Sequence, residues 1–519
     1  MQRRTFLGAA AGSMAAFAAA ESFELDELTI GDLAKGLEHG RWNSRRLVEL
    51  YISRIEEIDR SGPRLGAVIE LNPDSEAIAA SLDGERHAKH IRGPLHGIPV
   101  MLKDNIGTAD KMSTSAGSMA LAESHPREDA FLVARLRAAG AVIIGKTNLS
   151  EWANFRSTRS ISGWSGRGGQ TLNPYVLGRN PSGSSSGSAA GVAANLCAAA
   201  VGSETDGSVV SPSSICGLVG VKPTIGLVSR AGIIPISHSQ DTAGPIARNV
   251  RDAAILLSAM AGEDMNDPAG VGSAGRAQPD YTVFLDANGL KGARLGIARK
   301  FFEDNDRMNA ILNSCVETLK RCGAEIVDPA DLATYNKWGD AEQQVLLYEF
   351  KADLNAYLDR LPMERPARSL AALIAFNNKH RGLEMPWFDQ ELFEQAETKG
   401  PLTEQKYLDA RKECVRLTRT EGIDAVLKQN KLDAIVTLTS GPAWPTDRAN
   451  GDRDTGGCSS PPAIAGYPHI TVPATFYQQL PIGLSFFGTA WSEPVLFRLA
   501  YAWEAATQAR RKPRFLAGI

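Results

Sequence analysis

Residues 181–213 read PSGSSSGSAAGVAANLCAAAVGSETDGSVVSPS. A Gly/Ser-rich loop carrying Ser184 leads into a helix of small residues, and a second glycine turn then presents Ser208. Far upstream, the apolar run Ile98-Pro99-Val100-Met101-Leu102 ends in Lys103-Asp104-Asn105. A lysine delivered by an apolar strand, with two serines on glycine turns, suits a hydrolase that uses lysine where others use histidine. Strand and helix patterns alternate around this stretch. Strands are expected at Ala67–Leu71, Ile98–Leu102, Val142–Ile144, Ala198–Gly202 and Val219–Val221, and the helix Asp129–Ala139 runs directly into the third of them. That alternation predicts an α/β fold with a large mixed, mostly parallel central sheet flanked by helices.

Outward from this region the pattern is simpler. Leu33, Leu37, Leu47, Leu50, Ile52 and Ile55 recur at helical spacing between Thr29 and Asp59, with Asn43-Ser44 as a helix cap. Between about 300 and 430, charged amphipathic stretches such as Met308–Cys322 and Tyr407–Lys428 predict a helical cap or insertion. Strand patterns return at Ala434–Leu438 and Ile482–Phe487, and a helix over Leu496–Ala509 closes the chain. The expected organisation is one large domain over residues 21–519.

The first twenty residues read as an address. Arg3-Arg4-Thr5-Phe6-Leu7 follows the twin-arginine pattern, an Ala-rich apolar stretch comes next, and Ala18-Ala19-Ala20 offers a small-residue cleavage site. A signal peptide over 1–20 predicts a periplasmic or secreted product, and no cysteine near the cleavage point supports a lipid anchor. The remaining chain has no apolar run of bilayer length, so no membrane anchor is expected. A formal net charge of -3 and a pI of about 6.3 give no sign of a nucleic-acid partner. The six cysteines show no CxxC pairing and read as free, mostly buried thiols.

Three motifs compete with the lysine reading. Gly140-Ala141-Val142-Ile143-Ile144-Gly145-Lys146-Thr147 matches a phosphate-binding loop in letters, but Ala-Val-Ile-Ile belongs in a buried strand. Gly183-Ser184-Ser185-Ser186-Gly187 matches the nucleophile elbow of a Ser-His-Asp esterase, with Asp433 and His469 following in the right order. The elbow requires a strand immediately before it, and the preceding residues 172–181 hold two prolines and few apolar groups. Lys103 and Asp104 could also form a plain buried ion pair. His87 and His90, three apart on a polar helix surface, do not make a metal site.

These residues resemble the amidase signature family, whose hydrolases use a Ser–cis-Ser–Lys triad. The likeness spans nearly the whole chain after residue 20 and is densest from Gly93 to Arg248. Its supporting segments are Gly145–Phe155, Ser160–Ser165, Glu204-Thr205-Asp206-Gly207-Ser208 and Ser239–Pro245, and the branch most similar is that of peptide amidases. The resemblance implies Ser208 as nucleophile, Ser184 as the bridging serine with a cis peptide bond, and Lys103 as base. It implies backbone N–H groups of Thr205, Asp206, Gly207 and Ser208 as the oxyanion hole, and Trp152, Ala153 and Trp164 as candidate substrate-lining residues. Two departures stand out: Asp206 replaces the family's commoner glycine, and Val210 replaces an arginine, which leaves open how the loop beyond Ser208 is braced.

The implied reaction splits a carboxamide into carboxylate and ammonia, with no metal or organic cofactor. Its substrate is a small-molecule or peptide amide, with peptide C-terminal amides first and small aliphatic or aryl amides as alternatives. A tRNA-linked amidotransferase subunit is disfavoured by the export signal. A Ser-His-Asp esterase and a non-catalytic amide-binding protein are the readings outside that chemistry.

Overall fold

The computed structural model describes residues 23–361 and 367–519; the leader expected over 1–20 lies outside them. The strands are β1 (Val68–Leu71), β2 (Pro99–Lys103), β3 (Val142–Thr147), β4 (Trp164–Ser165), β5 (Gly169–Gln170), β6 (Ala199–Glu204) and β7 (Val219–Lys222). They continue with β8 (Thr242–Ala247), β9 (Arg294–Ile297), β10 (Glu325–Val327), β11 (Ala434–Leu438), β12 (His469–Tyr477) and β13 (Leu480–Phe487). All except the β4–β5 pair form one mixed sheet of eleven strands, in the order β1-β3-β2-β6-β8-β7-β12-β13-β11-β9-β10. Parallel ladders join β3, β2 and β6 on one side and β11, β9 and β10 on the other. The ladders through the centre and at the β1 edge are antiparallel.

The expected strands form within three residues of their predicted ends. Two central strands escape the pattern because each carries a proline. β8 reads Thr-Ala-Gly-Pro-Ile-Ala, and β12 holds Pro473 at a point where its register against β13 shifts. In β12 the register shift accommodates the missing N–H donor, which a strand pattern read from sequence counts against a central position. β10 lies inside the stretch expected to be helical. The helix Asp306–Arg321 links it to β9, so this first part of the stretch extends the sheet as a βαβ unit.

Helical residues then dominate from Gly339 to Val415: Gly339–Asp359, Leu370–Lys379, Arg381–Glu384, Glu391–Glu397 and Gln405–Val415. Leu346, Phe350, Leu354, Leu370 and Phe393 of this segment pack with Trp152 and Phe155 in an apolar cluster of their own. The segment is thereby docked on the loop that follows β3.

The helix Ser186–Ala193 explains the run of small residues. All eight of its residues are buried, and it lies so close to the sheet that a Cβ on Gly187 would stand 2.3 Å from Ala67 O. Only glycine fits there. Leu102 and Val201 on the facing strands are fully buried. Truncating side chains of that kind costs about 2–5 kcal/mol, so the strands that end at Lys103 and Glu204 are firmly held.

Candidate active site

β2 delivers Lys103 at its buried end, and parallel pairing of β2 with β6 sets it beside Ser203. Lys103 Nζ lies 2.6 Å from Ser184 Oγ, 3.0 Å from Ser203 O and 3.0 Å from Ser203 Oγ. The residue is fully buried, and that desolvation pushes its ammonium down to about 7, against the opposing charges of Glu204 and Asp241. A neutral amine has two N–H donors and one lone pair. Donation to the two Ser203 oxygens leaves the lone pair for the Ser184 hydroxyl. Asn105 Nδ2 donates to the same Ser203 Oγ at 2.9 Å, which holds that hydroxyl in place.

The competing reading, a Lys103–Asp104 ion pair, does not form. Asp104 points away, accepting from Ser115 Oγ and from Gly117 N at 3.3 Å, with the Arg167 guanidinium 3.4 Å away. Asp104 is the first residue beyond β2, in the turn that follows it. Among the described residues, Lys103 has no acidic partner in contact.

Ser184 sits in the loop before the helix Ser186–Ala193, and the Gly183–Ser184 peptide is cis. Its carbonyl oxygen accepts from Ser150 N at 3.1 Å. Ser208 stands on the turn after β6, 7% exposed while Ser184 is fully buried. Ser185 N donates to Ser208 O at 3.1 Å and so ties the two serine turns together. Gly207 has φ +75, and a Cβ there would lie 2.9 Å from Ser459 Oγ, so both conformation and space demand glycine. Among the described residues, the N–H groups of Asp206, Gly207 and Ser208 meet no protein acceptor, which leaves them available to a ligand oxygen.

The bracing left open by the absent arginine comes from a carboxylate. Glu204 Oε2 accepts from Val209 N at 2.7 Å and Val210 N at 3.0 Å, at the start of the helix Val210–Ile215. Burial raises the Glu204 carboxyl, with the Lys222 charge opposing. Thr205 is held in turn by Asp241, which accepts from Thr205 Oγ1 at 2.6 Å and from the N–H groups of Ile236 and Ser237. Sequence reasoning missed Ser203, Glu204 and Asp241. The only available signal was their place beside the Ser208 motif and in the Ser239–Pro245 segment.

A cavity of about 990 Å³ opens against this region, and its wall includes Ala153, Ser203, Thr205 and Asp241. A smaller one of about 310 Å³ opens against Ser211, one helical turn beyond Ser208, with Trp444 and Arg453 in its wall. Of the candidate lining residues, Ala153 faces the larger cavity. Trp152 packs edge-on against Phe393 at 5.6 Å, and Trp164 against Phe388 at 5.2 Å. Trp152, Ala153 and Asn154 all have positive φ, so this loop takes a shape that ordinary L residues rarely adopt.

The competing motifs are pulled apart. Ser185 Oγ donates to Ser203 O at 3.1 Å, His469 Nε2 lies 2.5 Å from Ser485 Oγ, and Asp433 accepts from Arg294 N. His469 is fully buried and held near 3 by desolvation and the Lys222 charge. Replacing His469 with alanine is expected to leave amide hydrolysis within about threefold of wild type, while costing about 1–3 kcal/mol of stability. Activity per folded molecule measures this, and an inactive but folded variant restores the esterase reading. The phosphate-loop letters are strand β3, with Lys146 Nζ donating to Ile106 O at 2.5 Å and Thr114 Oγ1 at 2.9 Å. All six cysteines are free.

Among the described residues, one group has metal-ligand geometry: His238, Glu349 and Asp353 lie with ligand atoms within 4.8 Å of one another. Glu349 is already occupied by Ser237 Oγ, Ser239 N and Tyr407 OH. The two nitrogens of His238 face different carboxylates, Asp353 at 2.8 Å and Glu349 at 3.3 Å. This is the arrangement of an imidazolium joining two carboxylates, with no lone pair turned toward a common centre.

A family model described as Amidase matches residues 46–497. A probable amidase of Arabidopsis thaliana is 44% identical over 98% of this chain and 95% of its own length. Among solved structures, native peptide amidase from Stenotrophomonas maltophilia superposes with a TM-score of 0.91 at 52% identity, covering 95% of this chain and 99% of that one. An amidase family protein from Bacillus anthracis superposes with a TM-score of 0.86 at 36% identity, covering 95% of this chain and 93% of that one.

Proposed function

The chain belongs to the amidase family and is a hydrolase of amide C–N bonds, and within that frame we propose that it removes the C-terminal carboxamide of peptides through Ser208, Ser184 and Lys103. The single observation that carries the mechanism is the 2.6 Å contact of Lys103 Nζ with Ser184 Oγ, at a lysine that burial brings to about 7. A serine hydroxyl is a weak nucleophile until a base takes its proton, and lysine acts as a base only when neutral.

Ser208 Oγ attacks the amide carbonyl carbon. Its proton passes to Ser184 Oγ as the Ser184 proton passes to Lys103 Nζ. The tetrahedral oxyanion is held by N–H groups of the Thr205–Ser208 turn. The C–N bond then breaks, the nitrogen takes a proton back along the same path, and ammonia leaves. Water repeats the sequence on the acyl-enzyme and releases the carboxylate.

The peptide substrate rests on the likeness to peptide amidase. The test is ammonia release from a panel of peptide amides, free amino-acid amides, aliphatic amides and aryl amides, with Ser208→Ala as the blank. Peptide amides are expected to show the highest kcat/KM. Turnover confined to aryl or small aliphatic amides removes the peptide assignment and leaves the amidase chemistry standing.

A further inference from the structure

One of the buried acids by which the helical segment reaches the site is Glu384. Glu384, at the end of the helix Arg381–Glu384, is fully buried, and its Oε1 accepts from Met119 N at 2.7 Å and Ser118 Oγ at 3.3 Å. Its main-chain oxygen accepts from Arg156 Nη1, which also meets Glu151 Oε1 at 3.0 Å; Arg156 and Glu151 are both buried. Glu151 Oε2 accepts from Gly166 N at 2.6 Å. A Cβ built on Gly166 would lie 2.9 Å from Glu151 Oε2 and 2.9 Å from Glu384 Oε2, so the two carboxyl groups close over the same glycine.

Glu384 Oε2 is buried and receives no nitrogen or hydroxyl donor. Two carboxylates against one guanidinium, all out of water, leave an uncompensated charge that costs several kcal/mol. A proton on Glu151 removes that charge and supplies the missing donor. Burial and the neighbouring Glu384 hold the Glu151 carboxyl well above the usual range, against Arg156.

The two loops clamped in this way lead to the two ends of the Lys103–Ser184 contact. On one side, Ser115 N and Ala116 N donate to the main-chain oxygen of Asp104, next to Lys103, and Ser118 N donates to Ser115 O. On the other, Ser150, next to Glu151, donates its N–H to Ser184 O, and Trp152 N donates to Ala116 O. We propose that Glu384 is a positioning residue: its hydrogen bond with Glu151, together with its bonds to Ser118 and Met119, sets the separation of Lys103 and Ser184. The role rests on the amidase reading, in which that separation governs proton transfer from Ser208.

The test uses a fluorophosphonate, which forms a bond from Ser208 Oγ to phosphorus as fluoride leaves and the serine proton moves to Lys103. Mass spectrometry follows the labelling rate on the full-length protein. Glu384→Gln keeps an acceptor for Met119 and places an amide N–H donor toward Glu151. It is expected to label within about threefold of wild type. Glu384→Ala is expected to label at least about tenfold more slowly, with the loss in kcat rather than KM for amides. Glu384→Asp, which keeps the charge but withdraws the carboxyl by one methylene, is expected to lose at least about fivefold and stands in if the alanine variant does not fold. Wild-type rates in folded Glu384→Ala or Glu384→Asp overturn the proposal, as does Glu384→Gln labelling as slowly as Glu384→Ala. Wild-type protein that labels at Ser208 yet hydrolyses no amide defeats the amidase reading instead, which keeps the two failures apart.

Discussion

Replacing Ser208 with alanine is expected to lower amide hydrolysis by at least about four orders of magnitude while leaving stability within about 0.5 kcal/mol of wild type. The proposed mechanism makes Ser208 Oγ the only protein atom that bonds to the substrate, so no neighbouring hydroxyl can replace it at the same position. Ser185, the centre of the elbow motif, is fully buried with its hydroxyl committed to Ser203 O. The turn itself is held by main-chain contacts that alanine keeps: Ser185 N to Ser208 O, and Val209 N and Val210 N to Glu204. Initial rates on a peptide amide, with a melting curve of each protein, give both numbers. A folded Ser208→Ala enzyme retaining a tenth of wild-type activity removes Ser208 from the role of nucleophile.

The second large effect belongs to Lys103. Lys103→Met, which keeps the side chain's length but has no nitrogen, is expected to lose at least about three orders of magnitude in kcat. In wild type, the ammonium form has no lone pair for Ser184. The rate should therefore climb with pH through about 7, where the buried lysine becomes neutral, and fall about tenfold per pH unit below it. Any residual activity of Lys103→Met should lack that limb. A wild-type profile that is flat between pH 5 and about 9 removes lysine as the base.

Stability reports the same group with the opposite emphasis. The folded value is depressed, so between about 7 and the ordinary lysine value of 10.5 the unfolded chain holds a proton that the folded chain lacks. Wild-type stability therefore rises with pH across that window, and the cost of the buried lysine is fully present below about 7. Subtracting the melting temperature of wild type from that of Lys103→Met should give a difference largest below pH 7 and shrinking toward pH 10. The lost contacts to Ser203 add a constant that does not change the slope.

Legibility in the sequence followed how local the cause was. Strands such as Val142–Thr147 and Ala434–Leu438 were readable because their apolar runs match a buried sheet position. The same reasoning correctly set aside the phosphate-loop letters. β8 and β12 were not readable, because Pro245 and Pro473 argue against central strands, and the register shift at Pro473 is seen only once β12 is paired with β13. Trp152 and Trp164 could be named as candidates but not placed, since their packing partners Phe393 and Phe388 come from a segment more than two hundred residues away. The brace at Glu204 was invisible for a different reason. Nothing in a Glu-Thr-Asp-Gly-Ser string says that the glutamate will cap two N–H groups just beyond the serine.

By itself, the sequence determined the α/β class through its alternating strand and helix patterns, and the glycine turns of 181–213 through their residue types. These follow from apolar runs and turn chemistry, both short-range properties, while the roles expected of Ser184, Ser208 and Lys103 came from the resemblance of those segments to the amidase signature. Only the tertiary structure decided that Lys103 makes no ion pair with Asp104, donates to Ser203 and faces Ser184. Only it placed Glu204, Asp241 and Glu384 around those groups. The physical reason is that a lysine's protonation state depends on what excludes water from it. That is settled by the packing of β2 against β6 and of the two serine turns against each other, and no single segment of the chain carries that information.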